Sequence, residues 1–451
     1  MSERQKVLEL FEEYKDFTND RVTHGIELYR KGYAYLTVTD ADGNAIPDAT
    51  IAVRQTEHAF RFGANLFMLD ELETPEKNEA YKKHFADLFN MATLPFYWDA
   101  TEPEEGKTRY HKDAAPLYRR PPVDRCMDFC AQHGIEPREH GLAYENFFPK
   151  WLHGAPTPKV KQALNRRCRE IAERYADRIN TIEVTNETCW DRHKSRTAFY
   201  EDPDYVSTCF KLAEHHFPAN QLVINEVTGL CWEDKCRPSD RYYGNIRNAI
   251  DAGARIDAIG MQYHQFHRRE TEYAKTRMSY DPVWLYRHMD LYAQFGKPLQ
   301  VTEVTIPAYS WEAEDEAIQA ELLTQLYRIW FSHPAMEQIV YWNLVDGYAH
   351  VWDPDPAKIR ASRGDMTIGE NYYHGGLFRF DLTPKPAYFA LKDLIGREWN
   401  TAVDTTSNGM GKAQFKGFFG KYEITVSHGG KTSVHTIDLT KDGKDHFTLT
   451  V

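Results

Sequence analysis

Two glutamates stand where a pair of carboxyls could work together. Glu187 closes the run Thr181-Ile-Glu-Val-Thr-Asn-Glu187, and Glu303 closes Leu299-Gln-Val-Thr-Glu303. Each follows a short strand-like segment, and strand ends are where a parallel α/β barrel gathers its reacting groups. Two carboxyls facing each other across a barrel mouth suit work on a glycosidic bond. One protonates the leaving oxygen and the other attacks the anomeric carbon, at a separation of roughly 5–5.5 Å where configuration is retained. A single glutamate at a strand end reads as a solvated acid or half of an ion pair. Two of them, each in a polar and aromatic setting, favour chemistry, so Glu187 is expected as acid/base and Glu303 as nucleophile.

The neighbours of these acids fit the same chemistry. Asn186 precedes the acid/base and could hydrogen-bond a sugar 2-hydroxyl, a contact that strengthens in an oxocarbenium-like transition state. Gln262 and His264 follow another apolar strand. A histidine beside a nucleophilic carboxylate can orient it and hold its charge state. Trp342 ends the last such strand and could form a floor under a sugar ring. Beyond it a loop carrying Asp346, Tyr348, His350, Trp352 and Asp353-Pro-Asp-Pro356 runs to about His374, the kind of long connection that shapes a cleft.

These residues need a frame that brings distant strand ends together. Eight short apolar segments are readable: 60–65, 90–96, 136–142, 181–185, 222–225, 258–262, 299–302 and 338–342, most of them separated by amphipathic helical patterns. Alternation of strand and helix implies a parallel sheet, and eight units favour closure into a (β/α)8 barrel over residues 56–400. No G-x-G-x-x-G follows the first strand, against a dinucleotide fold. The ends of the chain change character. Residues 3–31 read as a charged helix with Val7, Leu8, Leu10 and Phe11 as its apolar stripe, and segments 33–40 and 49–54 read as a β-hairpin around Asp42-Gly43-Asn44. After Thr401 the pattern is strand-rich again, at 414–426, 432–439 and 446–451. Neither end is large enough for a good core alone. The expectation is one accessory β-sandwich built from residues 1–55, with their helix and hairpin, and residues 401–451.

Composition bounds the rest. The chain has 451 residues, a net charge of −12 and no long basic run, which excludes a nucleic-acid footprint. Aromatic residues make up 14%, enough for core packing and for flat sugar-stacking faces. No apolar leader stands at the N-terminus and no run of eighteen apolar residues occurs, so neither a signal peptide nor a membrane span is read. A cytoplasmic location is expected, or a secreted one if a leader once preceded the chain. Seven cysteines lie between positions 126 and 236. Cys126 and Cys130, at i, i+4 spacing, read as one buried helix face rather than a metal site, and Cys231 and Cys236 lack zinc spacing. No metal or organic cofactor is implied; the expected partner is a carbohydrate, and homo-oligomerisation stays open.

Taken together, several segments resemble glycoside hydrolase family 10, the β-1,4-xylanases, over most of residues 55–400. They are Phe62-Gly63-Ala64, Trp98-Asp-Ala-Thr-Glu-Pro103, Val184-Thr-Asn-Glu187, Ile259-Gly-Met-Gln-Tyr-His264, Val301-Thr-Glu303 and Pro384-Lys-Pro-Ala-Tyr-Phe-Ala-Leu391. The resemblance implies retaining hydrolysis of xylan or xylo-oligosaccharides. It also implies a cleft in which Tyr97, Trp98, His140, Tyr144, Glu145 and Asn225 join Asn186, Gln262, His264 and Trp342 in binding substrate. The chain departs from the family pattern at sugar-gripping positions. Leu94-Pro-Phe-Tyr97 stands where Asn-Glu-Met-Lys is usual, which trades a charged donor for an aromatic face at Tyr97. Tyr144-Glu145 stands where Trp-His is usual, which brings a third carboxylate towards the reacting pair. The family tryptophan after the eighth strand corresponds to His350 or is displaced to Trp352. Two other readings stay open: a retaining β-glycosidase for another β-glycan or a decorated glycoside, and a carbohydrate-binding protein without turnover.

Overall fold

The computed structural model describes residues 4–189, 196–353 and 355–451. Glu3 of the expected first helix and Pro354 of the expected long loop therefore lie outside the described residues. Eight parallel strands close into a barrel: β3 (Arg61–Asn65), β4 (Met91–Pro95), β5 (Glu136–His140), β6 (Thr181–Asn186), β7 (Gln221–Asn225), β8 (Ala258–His264), β9 (Leu299–Thr305) and β10 (Met336–Tyr341). Closure runs through β10 and β3, with Ile339 opposite Phe62 and Tyr341 opposite Ala64. Each expected strand is present to within a few residues. Every residue of β4, β6 and β9 is buried, as parallel strands covered on both faces must be.

The barrel interior is polar as well as apolar, and its polar groups pair with one another. Near the N-terminal ends of the strands the Gln300 amide donates to Gln221 (3.0 Å) and Glu337 (2.6 Å), and Gln338 donates to Gln300 (2.9 Å). The surrounding helices start from local signals. In Pro282–Ala293 the Asp281 carboxylate accepts from the amides of Val283 and Trp284, with proline in the first turn. In Val123–His133, Cys126 and Cys130 fall on the buried face, and all seven cysteines are free thiols. Among the described residues no helix is long and apolar enough to cross a membrane.

The N-terminal segment folds as a short 3-10 turn and two helices, Glu9–Glu13 and Lys15–Tyr29. Val7, Phe11, Val22 and Ile26 pack into the barrel's own core, so these helices belong to the barrel side, not to an accessory module as expected. Gly25 makes this possible: a Cβ there would lie 2.4 Å from the Ser332 carbonyl, at the end of the helix Ala313–Ser332.

Both ends of the chain do build a β-sandwich. One sheet has the order β12-β1-β15 and the other β11-β2-β13-β14. The strands are β1 (Lys31–Thr39), β2 (Thr50–His58), β11 (Ala402–Thr406), β12 (Lys412–Phe418), β13 (Gly420–His428), β14 (Lys431–Leu439) and β15 (His446–Thr450). The expected hairpin is corrected here. The turn forms, with the Asp40 carboxylate accepting from the amides of Asp42 and Asn44, but β1 and β2 lie in different sheets. Ala34, Leu36 and Val38 on β1 meet Ile51 and Val53 on β2 inside one core, because the ten-residue link spans the roughly 10 Å between stacked sheets. The stretch 414–426 is likewise two strands, not one. They part at Gly420 (φ +144°), where a Cβ would meet the Glu57 carbonyl.

Candidate active site

The C-terminal ends of the barrel strands open into a cleft of about 540 Å³. Glu187 enters it from the end of β6. Its backbone turns into the left-handed region (φ +54°), a conformation that a non-glycine residue rarely adopts and that clusters at functional sites. The backbone is tied down by a 3.1 Å bond from the Glu187 amide to the Asn225 carbonyl. One carboxylate oxygen accepts from the Gln262 amide at 3.1 Å, and the same amide donates to Asn186 at 3.1 Å. A single side chain on β8 thus holds both residues at the end of β6.

Glu303 enters from β9 and is 4% exposed. Its Oε1 accepts from Asn225 Nδ2 (3.1 Å) and its Oε2 lies 3.1 Å from His264 Nε2. When Glu303 is ionised its carboxylate only accepts, so in that state Nε2 carries the proton and His264 Nδ1 accepts from the Thr305 hydroxyl at 2.9 Å. Burial lowers the His264 pKa to about 4, so the imidazole meets Glu303 neutral, as a dipole. The Thr302 hydroxyl, 2.7 Å from Asn225 Oδ1, fixes the asparagine.

The third carboxylate of this group is Glu183, inside β6 and fully buried. It accepts from Arg138 (2.5 Å), His140 Nδ1 (2.7 Å) and Asn225 (3.3 Å). Burial alone would raise its pKa, but His140 and Arg138 together hold it below the usual carboxylate range. Glu303 behaves oppositely. Burial pushes it up to about 8, with His140 opposing and the charges of Glu183 and Glu187 adding to the rise. His140, Glu183 and Glu303 also present ligand atoms within 4.8 Å of one another, and the Arg138 guanidinium donates to the Glu183 member of that group.

Aromatic side chains form the walls. The Trp342 ring lies edge-on to Phe67 (5.2 Å between centroids), His140 (5.4 Å) and His264 (5.9 Å). The Tyr97 hydroxyl is 3.0 Å from His140 Nε2. Tyr97 does not offer a free stacking face: the Arg120 guanidinium lies 3.8 Å from its ring centroid and Phe147 packs at 4.1 Å.

Of the residues singled out in the sequence, Tyr97, His140, Tyr144, Asn186, Glu187, Gln262, His264, Glu303 and Trp342 line the cleft. Trp98, Glu145 and Asn225 do not. Trp98 turns away as the short helix Trp98–Thr101 begins, donating to Glu102 (2.9 Å) and packing on Phe148 and Trp151. Glu145 is 2% exposed at the start of a 3-10 turn that ends at Phe147. Its charge reaches Tyr200 and Tyr205 rather than Glu303, so the acid whose charge bears on Glu303 from inside the barrel is Glu183. Asn225 is wholly buried and acts from beneath, through its bond to Glu303. In the loop after β10, His350 and Trp352 line the cleft, whereas Asp346 is a buried partner of Lys385 (2.7 Å) and the Tyr348 hydroxyl binds Lys77 (2.9 Å). Arg119, Arg120, Phe147, Phe266 and Glu370 also line it. None of them ends an apolar strand, so nothing in the local pattern singled them out.

Residues 55–394 match the sequence profile described as Glycosyl hydrolase family 10. Endo-1,4-beta-xylanase B of Thermotoga neapolitana is 23% identical over 358 residues, covering 78% of this chain and 92% of that protein. Anti-sigma-I factor RsgI6 of Acetivibrio thermocellus is 25% identical over 428 residues, covering 94% of this chain and 48% of the factor. This chain therefore spans about half the length of that relative. In three dimensions it resembles xylanase 10B from Thermotoga petrophila RKU-1, crystallised with xylobiose, with a TM-score of 0.58 and 19% identity over 75% of this chain and 95% of the other.

Proposed function

The chain belongs to glycosyl hydrolase family 10, and from that premise we propose that it cleaves β-1,4-xylosidic bonds in xylan or xylo-oligosaccharides by double displacement. The observation that carries this reading is the pair at the ends of β6 and β9, Glu187 bonded by Gln262 and Glu303 by Asn225 and His264, lining one cleft. Glu303 attacks the anomeric carbon while Glu187 gives its proton to the leaving oxygen; the glycosidic C–O bond breaks and a glycosyl ester forms on Glu303. Water then attacks the same carbon, Glu187 takes the proton from water, and the ester bond breaks to release Glu303. His264, neutral and proton-bearing at Nε2, stabilises the Glu303 carboxylate at the start and again on its release.

The test is hydrolysis of 4-nitrophenyl β-xylobioside and of xylotetraose, with the anomer of the first product followed by NMR. The expected result is a retained anomer from the wild type and loss of at least roughly 10³-fold in kcat for Glu303→Ala. An inverted product would refute the double displacement. A second reading, a retaining β-glycosidase for another β-glycan or a decorated glycoside, draws support from the Arg120-covered Tyr97. Turnover of such a glycoside, sensitive to Glu303→Ala and without xylotetraose cleavage, would select it. Binding of xylo-oligosaccharides without turnover of any aryl β-glycoside would select a non-catalytic role.

A further inference from the structure

The cleft holds positive charge that bond cleavage does not use. Arg119 and Arg120 end the segment leading from β4 to the helix Val123–His133, and both line the cleft. Arg119 is 4% exposed; it donates to the Tyr348 carbonyl and its Nε has no hydrogen-bond partner. Arg120 donates to the Arg119 carbonyl (2.8 Å) and lies over Tyr97, with Phe147 5.1 Å away. Among the described residues neither forms an ion pair. Asp99 is the acid whose charge reaches Arg120, but no bond joins them, and one Asp99 oxygen has no partner.

Two other buried guanidiniums, Arg4 and Arg138, meet carboxylates, and a third, Arg167, places its donors on neutral oxygens. Arg4 pairs with Glu272 and Asp315, Arg138 with Glu183, and Arg167 donates to three oxygens. A charge held away from water without an opposite charge is costly, and here the buried Arg119 and the half-buried Arg120 stand side by side. They face a cavity a sugar would fill, and a planar guanidinium matches a carboxylate in two-point geometry. The same cleft carries Glu187, Glu303 and Glu370. Those acids disfavour a dianion such as a phosphate monoester, so a single negative charge is the better fit.

We propose that Arg119 and Arg120 form a subsite for the carboxylate of a uronic acid carried by the substrate. This rests on the hydrolytic reading for its biological sense, but not for its test. The carboxylate could come from the sugar whose bond is cut or from a side branch on a neutral chain, and both present the same group to the arginines.

Binding tests the subsite independently of turnover. Titration calorimetry of the wild type with glucuronic acid and, separately, with xylose should show tighter binding of the acid. Arg120→Met should weaken glucuronate by about tenfold or more relative to xylose, Arg120→Lys should retain part of the preference, and 0.5 M NaCl should shrink it. Kinetics then locates the acid. We expect kcat/KM for glucuronate-branched xylotetraose to exceed that for the plain tetraose, and the ratio to fall about tenfold in Arg120→Met. If 4-nitrophenyl β-D-glucuronide shows the Arg120 dependence instead, the acid belongs to the cleaved sugar and the subsite stands. Equal binding of glucuronate and xylose, or a preference untouched by both Arg119→Met and Arg120→Met, overturns the proposal. Failure to cleave any of these substrates, with Arg120-dependent glucuronate binding, overturns the hydrolytic reading and leaves the subsite intact.

Discussion

Glu303 sits among charges of both signs, and its protonation is set by their balance. Burial, with the charges of Glu183 and Glu187 adding to it, raises the Glu303 pKa above the usual carboxylate range, so kcat/KM on an activated aryl glycoside should rise as pH climbs through that raised pKa. The Glu187 charge contributes to the rise. Replacing Glu187 by Gln removes a like charge, makes ionised Glu303 easier to hold and moves the acidic limb of the profile to lower pH. A good leaving group keeps the first step measurable without the acid. A limb that stays in place or moves up would show that the two carboxyls are not coupled as described. At this scale the sequence marked the residues that end strands: Glu187, Glu303, Gln262, His264 and Trp342 were legible because parallel strands aim their last residues at the mouth. Glu183 was not, since an acid inside a strand looks the same whether it faces the barrel axis or the helices. Arg119 and Arg120 were not, since a loop residue carries no periodicity to say where it points.

The elements of the barrel were legible because each is short, apolar and bounded by helical patterns, and local information is enough for that. Their docking partners were less so. The helix Lys15–Tyr29 showed its stripe but not what the stripe would meet, and it lies against Ala313–Ser332 at Gly25. Gly25→Ala places a methyl group against the Ser332 carbonyl, and the expected cost is about 1–3 kcal/mol of overpacking, read as a lower Tm with the active-site pH profile unchanged. A Tm equal to or above that of the wild type would mean that the two helices separate without penalty. The β1–β2 link misled for a related reason: its turn chemistry is that of a hairpin, while the strands that pair with β1 and β2 come from the far end of the chain and leave no trace in the local pattern.

Across the whole molecule, the sandwich ties the two ends of the chain together. Among the described residues the strands that pair with β1 are β12 and β15, and β2 pairs with β11 and β13. Removing residues 402–451 takes away every strand that pairs with either, so backbone amides of 31–39 and 50–58 should exchange with solvent orders of magnitude faster, while those of β6 and β9 stay slow. Slow exchange of β1 in the truncated chain would refute this account of the module. The same arrangement has a consequence for how the protein is made. The Thr39 and Thr450 hydroxyls meet at 3.5 Å although 411 positions separate them. At a synthesis rate of about 5–20 residues per second, β1 leaves the ribosome roughly 20–80 s before its β15 neighbour. Until β12 emerges, late in that interval, Ala34, Leu36 and Val38 lack the C-terminal strands of their core and both edges of the strand are open, which makes the nascent N-terminal segment a site for chaperone capture and for mispairing between chains on the same polysome.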